Sequence, residues 1–260
     1  MLARHRDPRV APLELWDLVV DGVPLYRVDR GAGFGAALGR AVESLIDGVA
    51  VSESGARFPA ECHDIREVVL VGGAAGEVVW ASDRVPARLA ADAEHCAEQG
   101  GRALLAQLGA RGLVVDLGQS RLKVSGARRR VYPRDLAAIP VSSRPVDGNG
   151  RAALVTFVAA ALREATRDEQ GDERPAAIVL ALPCEISQTG ELGTCSYPWC
   201  AGDTIVPEIL AAAGLDEVPT LLLNDAELAA IGVAADPFAA PALVLTLGFG
   251  VGAALLRGGV

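Results

Sequence analysis

The stretch Gly112-Leu113-Val114-Val115-Asp116-Leu117-Gly118-Gln119-Ser120-Arg121-Leu122-Lys123-Val124 decides the fold. An apolar run enters a tight polar corner at Gly118 and leaves through a second apolar run, the pattern of a strand, a turn and a strand. The pattern recurs. Ala242-Leu243-Val244-Leu245-Thr246-Leu247 runs into Gly248-Phe249-Gly250-Val251-Gly252 and out through Ala253-Ala254-Leu255-Leu256. Glycine permits positive φ and close backbone approach, so successive amides at such a corner can converge on an anion. Either hairpin alone reads equally well as an ordinary glycine turn. Together they point to a nucleotide held by two similar lobes.

Working outward from the first corner, the pattern predicts strands at 113–116 and 122–125 and a third near 130–132. A helix over about 150–167 follows, with Ala153, Leu154, Phe157, Val158, Ala161 and Leu162 on a helical period. A buried strand is expected at 177–182. Next come a helix capped by Asp203 or Thr204 and stopped at Gly214, a strand at 220–223, and a helix opened by Asp225. The other lobe takes strands at 243–247, 252–256 and 68–71 and a helix near 34–49. Alternation of strands and helices implies an α/β protein with sheets covered by helices. The segment 52–64 reads as a flexible insert, 145–150 as a turn, and Gly31-Ala32-Gly33-Phe34-Gly35 as a flexible helix start.

A chain of 260 residues with 51% apolar residues is long enough for one large or two modest domains with filled cores. A formal charge of -9, from 24 basic and 33 acidic side chains, argues against a broad nucleic-acid surface. The basic clusters Arg4-His5-Arg6 with Arg9, and Arg128-Arg129-Arg130, read as solvated faces, with polyanion docking as the alternative. No apolar run reaches the roughly 20 residues of a membrane helix, and the N-terminus lacks a secretion signal's apolar core, so cytoplasmic location is expected. The five scattered cysteines favour reduced thiols. Cys195 and Cys200 lack the tight paired spacing of a zinc site, and Cys62-His63 reads as a loop pair. Neither a Walker-type loop nor a dinucleotide glycine fingerprint occurs.

The order Asp116-x-Gly118-x-Ser120-x-x-Lys123, then Asn224-Asp225 after Leu221-Leu222-Leu223, then Gly248-x-Gly250-x-Gly252, resembles the phosphate-1, catalytic-aspartate and phosphate-2 segments of the actin-like ATPase superfamily. Within it the chain looks most like the ROK sugar kinases, including the polyphosphate-type glucokinases. Ala181-Leu182-Pro183, Gly190-Glu191-Leu192 and Trp199 resemble the segment leading into their sugar site. Upstream, Leu13-Glu14-Leu15-Trp16 resembles the sugar motif Glu-x-Gly-His. Val68 to Gly73 resembles the adenosine motif, and the helix 97–108, containing Gly100-Gly101, resembles the terminal helix. In that family phosphate-1 opens the chain; here phosphate-2 closes it. The resemblance therefore implies a two-lobed actin-like (ribonuclease H-like) fold, circularly permuted after phosphate-2. One lobe would be 1–93 plus 242–260 and the other 94–241, with Met1 and Val260 close together at the first of these.

Phosphoryl transfer needs a metal-bound polyphosphate cradled by amides and a base aimed at the acceptor hydroxyl. Asp116, ending a buried strand, suits a carboxylate that organises magnesium through water. Asp225, at a strand-to-helix junction, reads either as an N-cap or as a group presented to a ligand. The resemblance makes it the general base of a sugar kinase that uses ATP and Mg2+, with polyphosphate as an alternative donor. It also gives Gly118, Ser120, Lys123, Gly248, Gly250 and Gly252 to the phosphates and Gly72 with Gly73 to the adenosine. Asn224, Glu14 and Trp16 go to a sugar-like substrate, and a homodimer is left open. Two motifs depart from the family pattern: Phe249 stands where threonine is usual, and Leu15-Trp16 replace Gly-His. These substitutions favour the alternative, a diverged ligand-binding or scaffold protein that kept the fold.

Overall fold

The computed structural model describes residues 2–55, 57–140, 148–168, 174–193, 195, 197, 199, 202–248 and 250–258. Expectations resting on Met1, residues 145–147, Cys200, Phe249 and Val260 lie outside the described residues. The first part of the chain runs β1 (Leu2–Arg4), β2 (Val10–Leu13), β3 (Val19–Val20), β4 (Val23–Pro24), α1 (Phe34–Ile46), β5 (Glu67–Val71), β6 (Ala87–Leu89) and α2 (Cys96–Gln107). The second runs β7 (Gly112–Leu117), β8 (Arg121–Ser125), β9 (Arg129–Pro133), α3 (Gly148–Asp168), β10 (Ala177–Leu182), α4 (Ile205–Ala213), β11 (Thr220–Asn224), α5 (Asp225–Val233), β12 (Ala242–Leu247) and β13 (Val251–Leu256).

The chain divides into two compact units, Met1–Arg6 with Gly101–Asp225, and Asp7–Gly100 with Ala226–Val260. In the first, the sheet order is β1-β11-β10-β7-β8-β9. β7, β8 and β9 pair antiparallel, and β10, β11 and β1 continue from β7 in parallel. All six residues of β10 are buried, as the continuous apolar run of a central parallel strand requires. Leu154, Val158, Ala161, Leu162 and Ala165 put one apolar stripe of α3 into this core. α4 stops where Gly214 takes φ 73°, a left-handed conformation that glycine adopts without strain.

The second unit repeats the arrangement. Its order is β2-β13-β12-β5-β6, with β12, β13 and β2 antiparallel and β5 and β6 continuing from β12 in parallel. β13 and β2, antiparallel neighbours like β8 and β9, lie far apart in the sequence, with Ala253 opposite Leu13. Within this unit the first turn of α2, Cys96 to Gly100, and α5 cross at glycine. A Cβ on Gly100 would stand 2.0 Å from the Leu228 carbonyl oxygen, and one on Gly232 would stand 1.9 Å from that of Cys96. Residues Ala226 to Val233 are all buried, so α5 has no solvated face.

Four expectations need correction. Residues 2–4, assigned with 1–93 to the other lobe, form β1 on the edge of the first sheet, where Leu2 faces Thr220 and the His5 amide donates to the Leu222 carbonyl at 3.0 Å. Residues 94–100 and 226–241 fall in the second unit rather than the first. The polar segment 52–64 is anchored: Asp17 accepts from the Ser52 hydroxyl and the Ser54 amide, both at 2.9 Å, and Cys62 is fully buried. Likewise Gly35 in the glycine-rich start of α1 is packed against backbone, 1.8 Å separating a Cβ there from the Val79 carbonyl oxygen. Among the described residues no helix is long and apolar enough to cross a membrane.

Candidate functional site

In the first unit, the register aligns Asp116 with Ala181, and Ala181 with Leu223, across three parallel strands. The C-terminal ends of β7, β10 and β11 therefore carry Asp116, the Pro183–Cys184 turn and Asn224-Asp225 side by side. Two strand spacings, about 10 Å, separate the outer pair. Crevices outside the carboxyl ends of parallel strands are the usual ligand sites of α/β sheets.

Asp116 is buried, and its Oδ2 accepts from Lys123 Nζ at 2.9 Å, directly across the hairpin. The ammonium of Lys123, expected on a phosphate, is thus committed to the carboxylate in this structure. Asp116 Oδ1 lies on the Gly118 side, 3.9 Å from where a Cβ on that glycine would sit. One carboxylate oxygen beside an amide corner fits a magnesium ion held mainly by water and phosphate oxygens. A full protein cage does not form there: among the described residues no cluster of three or more histidine, cysteine or acidic groups could hold a metal.

The corner after Asp116 is gripped from behind by two side chains that the sequence did not single out. Tyr197 donates its hydroxyl to the Gly118 carbonyl at 2.7 Å. Arg134, only 6% exposed, donates to the carbonyls of Gln119, Ile139 and Pro140 at 2.9, 2.9 and 2.7 Å. Its guanidinium lies 3.8 Å over the Tyr197 ring, and Trp199 stacks at 5.4 Å on the same tyrosine. Burial pushes the Tyr197 phenol well above its ordinary pKa, with Arg134 acting against it, so the hydroxyl stays a proton donor. Arg134 follows Pro133 with no pattern to distinguish it from Arg128 to Arg130. Tyr197 carried one signal, its place two residues before Trp199.

Asp225 opens α5 and Asn224 ends β11; Asn224 Nδ2 donates to the Cys184 carbonyl at 2.9 Å, tying the two strand ends together. Cys184 and Cys195 lie near Asp225. Burial, then Cys195 and Asp225, raise the Cys184 thiol well above its usual value. Burial above all lifts Cys195 to about 12. Cys62 and Cys96 are raised to about 11 by burial. Since the thiolate is the reactive form, iodoacetamide at pH 8 is expected to leave Cys62, Cys96 and Cys184 unmodified until the protein unfolds. Mass spectrometry of the labelled protein checks this, and alkylation of these three within minutes under native conditions would contradict it.

In the second unit, the other predicted glycines come together at the ends of β5 and β12. Thr246 pairs with Val71, and Gly72, at φ 98°, lies so close that a Cβ would stand 2.4 Å from the Leu247 carbonyl oxygen. Gly73 has open space around its Cα, and the Gly248 amide closes the corner onto the Gly250 carbonyl at 3.2 Å. Gly252 belongs to β13, paired with Thr246, rather than to the corner itself. Beside them is a cavity of about 240 Å³ lined by Phe34, Val78, Val79 and Leu247, with Arg30 and Glu77 at its polar margin. Arg30, also missed in the sequence, sits 5.4 Å over the Phe34 ring and donates to the Gly248 carbonyl. Burial lowers its pKa.

Leu15 is buried while its neighbour Trp16 is half-exposed, its ring 5.5 Å from that of Tyr26. Glu14 is half-buried next to them. Of the basic clusters, Arg9 pairs with Asp7 at 2.7 Å and Arg130 with Glu164 at 2.5 Å, so each has a local partner. No family model, curated protein or solved structure matches the chain.

Proposed function

We propose that the chain is a circularly permuted actin-like phosphotransferase, related to the ROK sugar kinases, that moves the γ-phosphoryl group of ATP to a sugar-like hydroxyl. The observation that carries this reading is the repeated sheet order, in which β7–β8 and β12–β13 hold equivalent positions and each turns at a glycine corner. In this reading the phosphate-1 corner at Gly118 to Ser120 and the base Asp225 belong to the first unit. The phosphate-2 glycines Gly248 and Gly250, and the cavity beside Gly72-Gly73, whose apolar walls suit a nucleobase, belong to the second.

The Asp225 carboxylate takes the proton of the acceptor hydroxyl as that oxygen bonds to the γ-phosphorus and the bridging P–O bond to ADP breaks. Asp116 would hold a magnesium ion through water, and that ion would supply charge neutralisation for the transferred group. The resemblance assigns Asn224, in the first unit, and Glu14 and Trp16, in the second, to the acceptor. A screen of hexoses and amino sugars for ADP release in the presence of Mg·ATP tests the reading, with polyphosphate as a second donor. Turnover with any acceptor supports it. ATP binding without turnover across the screen would favour the ligand-binding or scaffold alternative, for which the replacement of Gly-His by Leu15-Trp16 speaks.

A further inference from the structure

We infer that Arg134 and Tyr197 are positioning residues that turn the Gly118–Ser120 corner into an anion cradle; this rests on the phosphate-1 reading of that corner. A trans peptide group points its carbonyl and its amide in opposite directions. The Gly118 carbonyl accepts from the Tyr197 hydroxyl at 2.7 Å, that of Gln119 from Arg134 Nη1 at 2.9 Å, and that of Ser120 from the Arg134 amide at 3.0 Å. Three successive carbonyls are therefore drawn into the protein. The amides sharing the first two of those peptide groups, on Gln119 and Ser120, are turned the opposite way. Among the described residues neither amide has a hydrogen-bond acceptor. Convergent unpaired amides are the donor set of an anion-binding turn.

The clamp is itself held in place. Arg134 also spans the Ile139 and Pro140 carbonyls, and Trp199 stacks on Tyr197 while its indole donates to the Gly193 carbonyl at 2.9 Å. A ligand that takes the two amides thus meets donors already oriented, so little ordering remains to be done on binding. The chemistry that fits is a phosphate chain.

Tripolyphosphate with Mg2+ is the probe, followed by amide chemical shifts and by calorimetry on the full chain. In the parent protein the Gln119 and Ser120 amides are expected to shift on titration. Tyr197→Phe keeps the ring under Arg134 but loses the bond to the Gly118 carbonyl. It is expected to weaken binding about tenfold, the effect of losing one oriented hydrogen bond, with an unchanged far-ultraviolet spectrum. Arg134→Lys, which loses the forked contact, is expected to weaken it further; where that variant fails to fold, Tyr197→Phe carries the test. Parent-like affinity in folded Tyr197→Phe would overturn the clamp while leaving the phosphate-1 reading intact. A parent protein whose Gln119 and Ser120 amides do not move at 10 mM probe, on the order of the weakest useful affinities, would overturn that reading and the clamp with it.

Discussion

Asp225→Asn is expected to lower turnover by about 10²–10⁴-fold, the range over which a general base contributes, while leaving nucleotide affinity within a factor of about two. The asparagine keeps the size and the N-capping ability of the aspartate at the start of α5, so the fold is not the variable. What is lost, on the proposed mechanism, is the acceptor for the substrate proton. A structural role would give the reverse pattern, a lower melting temperature with unchanged turnover in the folded fraction. Steady-state kinetics alongside a melting curve separates the two, and equal turnover in parent and variant would remove Asp225 from the mechanism.

Gly232→Ala is expected to destabilise the second unit by about 3 kcal/mol, the upper end of ordinary overpacking costs. The added methyl would meet the Cys96 carbonyl oxygen at 1.9 Å, its carbon at 2.8 Å and the Gly100 amide nitrogen at 3.1 Å. All three are backbone atoms, so no rotamer change relieves the clash and α2 must move away from α5. With entropies typical of chains this size, the midpoint of thermal unfolding should fall by roughly 6–12 °C. Gly76→Ala, where no atom lies within 4 Å of the new Cβ, is the matched control and should change stability by less than about 0.5 kcal/mol. A Gly232→Ala protein that melts with its control would mean that the two helices are not held at backbone contact.

Where the sequence was legible, burial was uniform. The runs Leu113-Val114-Val115, Ala177 to Leu182 and Leu243 to Leu247 read as strands because nearly every side chain in them is covered. The Gly118 corner is a turn between β7 and β8 as expected, although Gly118 and Gly248 do not use the positive φ that glycine permits. β1 was not legible: Leu2-Ala3-Arg4 has no pattern of its own, and its strand state comes from the free edge of β11. The crossing of α2 and α5 was hidden for a related reason, since a mid-helix glycine such as Gly232 looks like a weak point until the partner helix is known. The grip of Asp17 on Ser52 and Ser54 joins residues 35 and 37 positions apart, beyond any local pattern. Arg134 is the most consequential omission. Its role depends on three carbonyls and an aromatic face that converge only in the folded unit.

Calorimetric titration with ATP, ADP and polyphosphate, with and without Mg2+, is the measurement that bears most directly on the proposed nucleotide binding. Weak binding of ATP, strengthened by magnesium, is expected for the parent. Tighter binding is expected for Phe249→Thr, since a hydroxyl donor replaces an apolar ring and a hydrogen bond to a charged group contributes about 1.5–3 kcal/mol. Absence of binding by parent and variant alike, to all three ligands at millimolar concentration, would contradict the phosphotransferase account and leave the non-catalytic scaffold in its place.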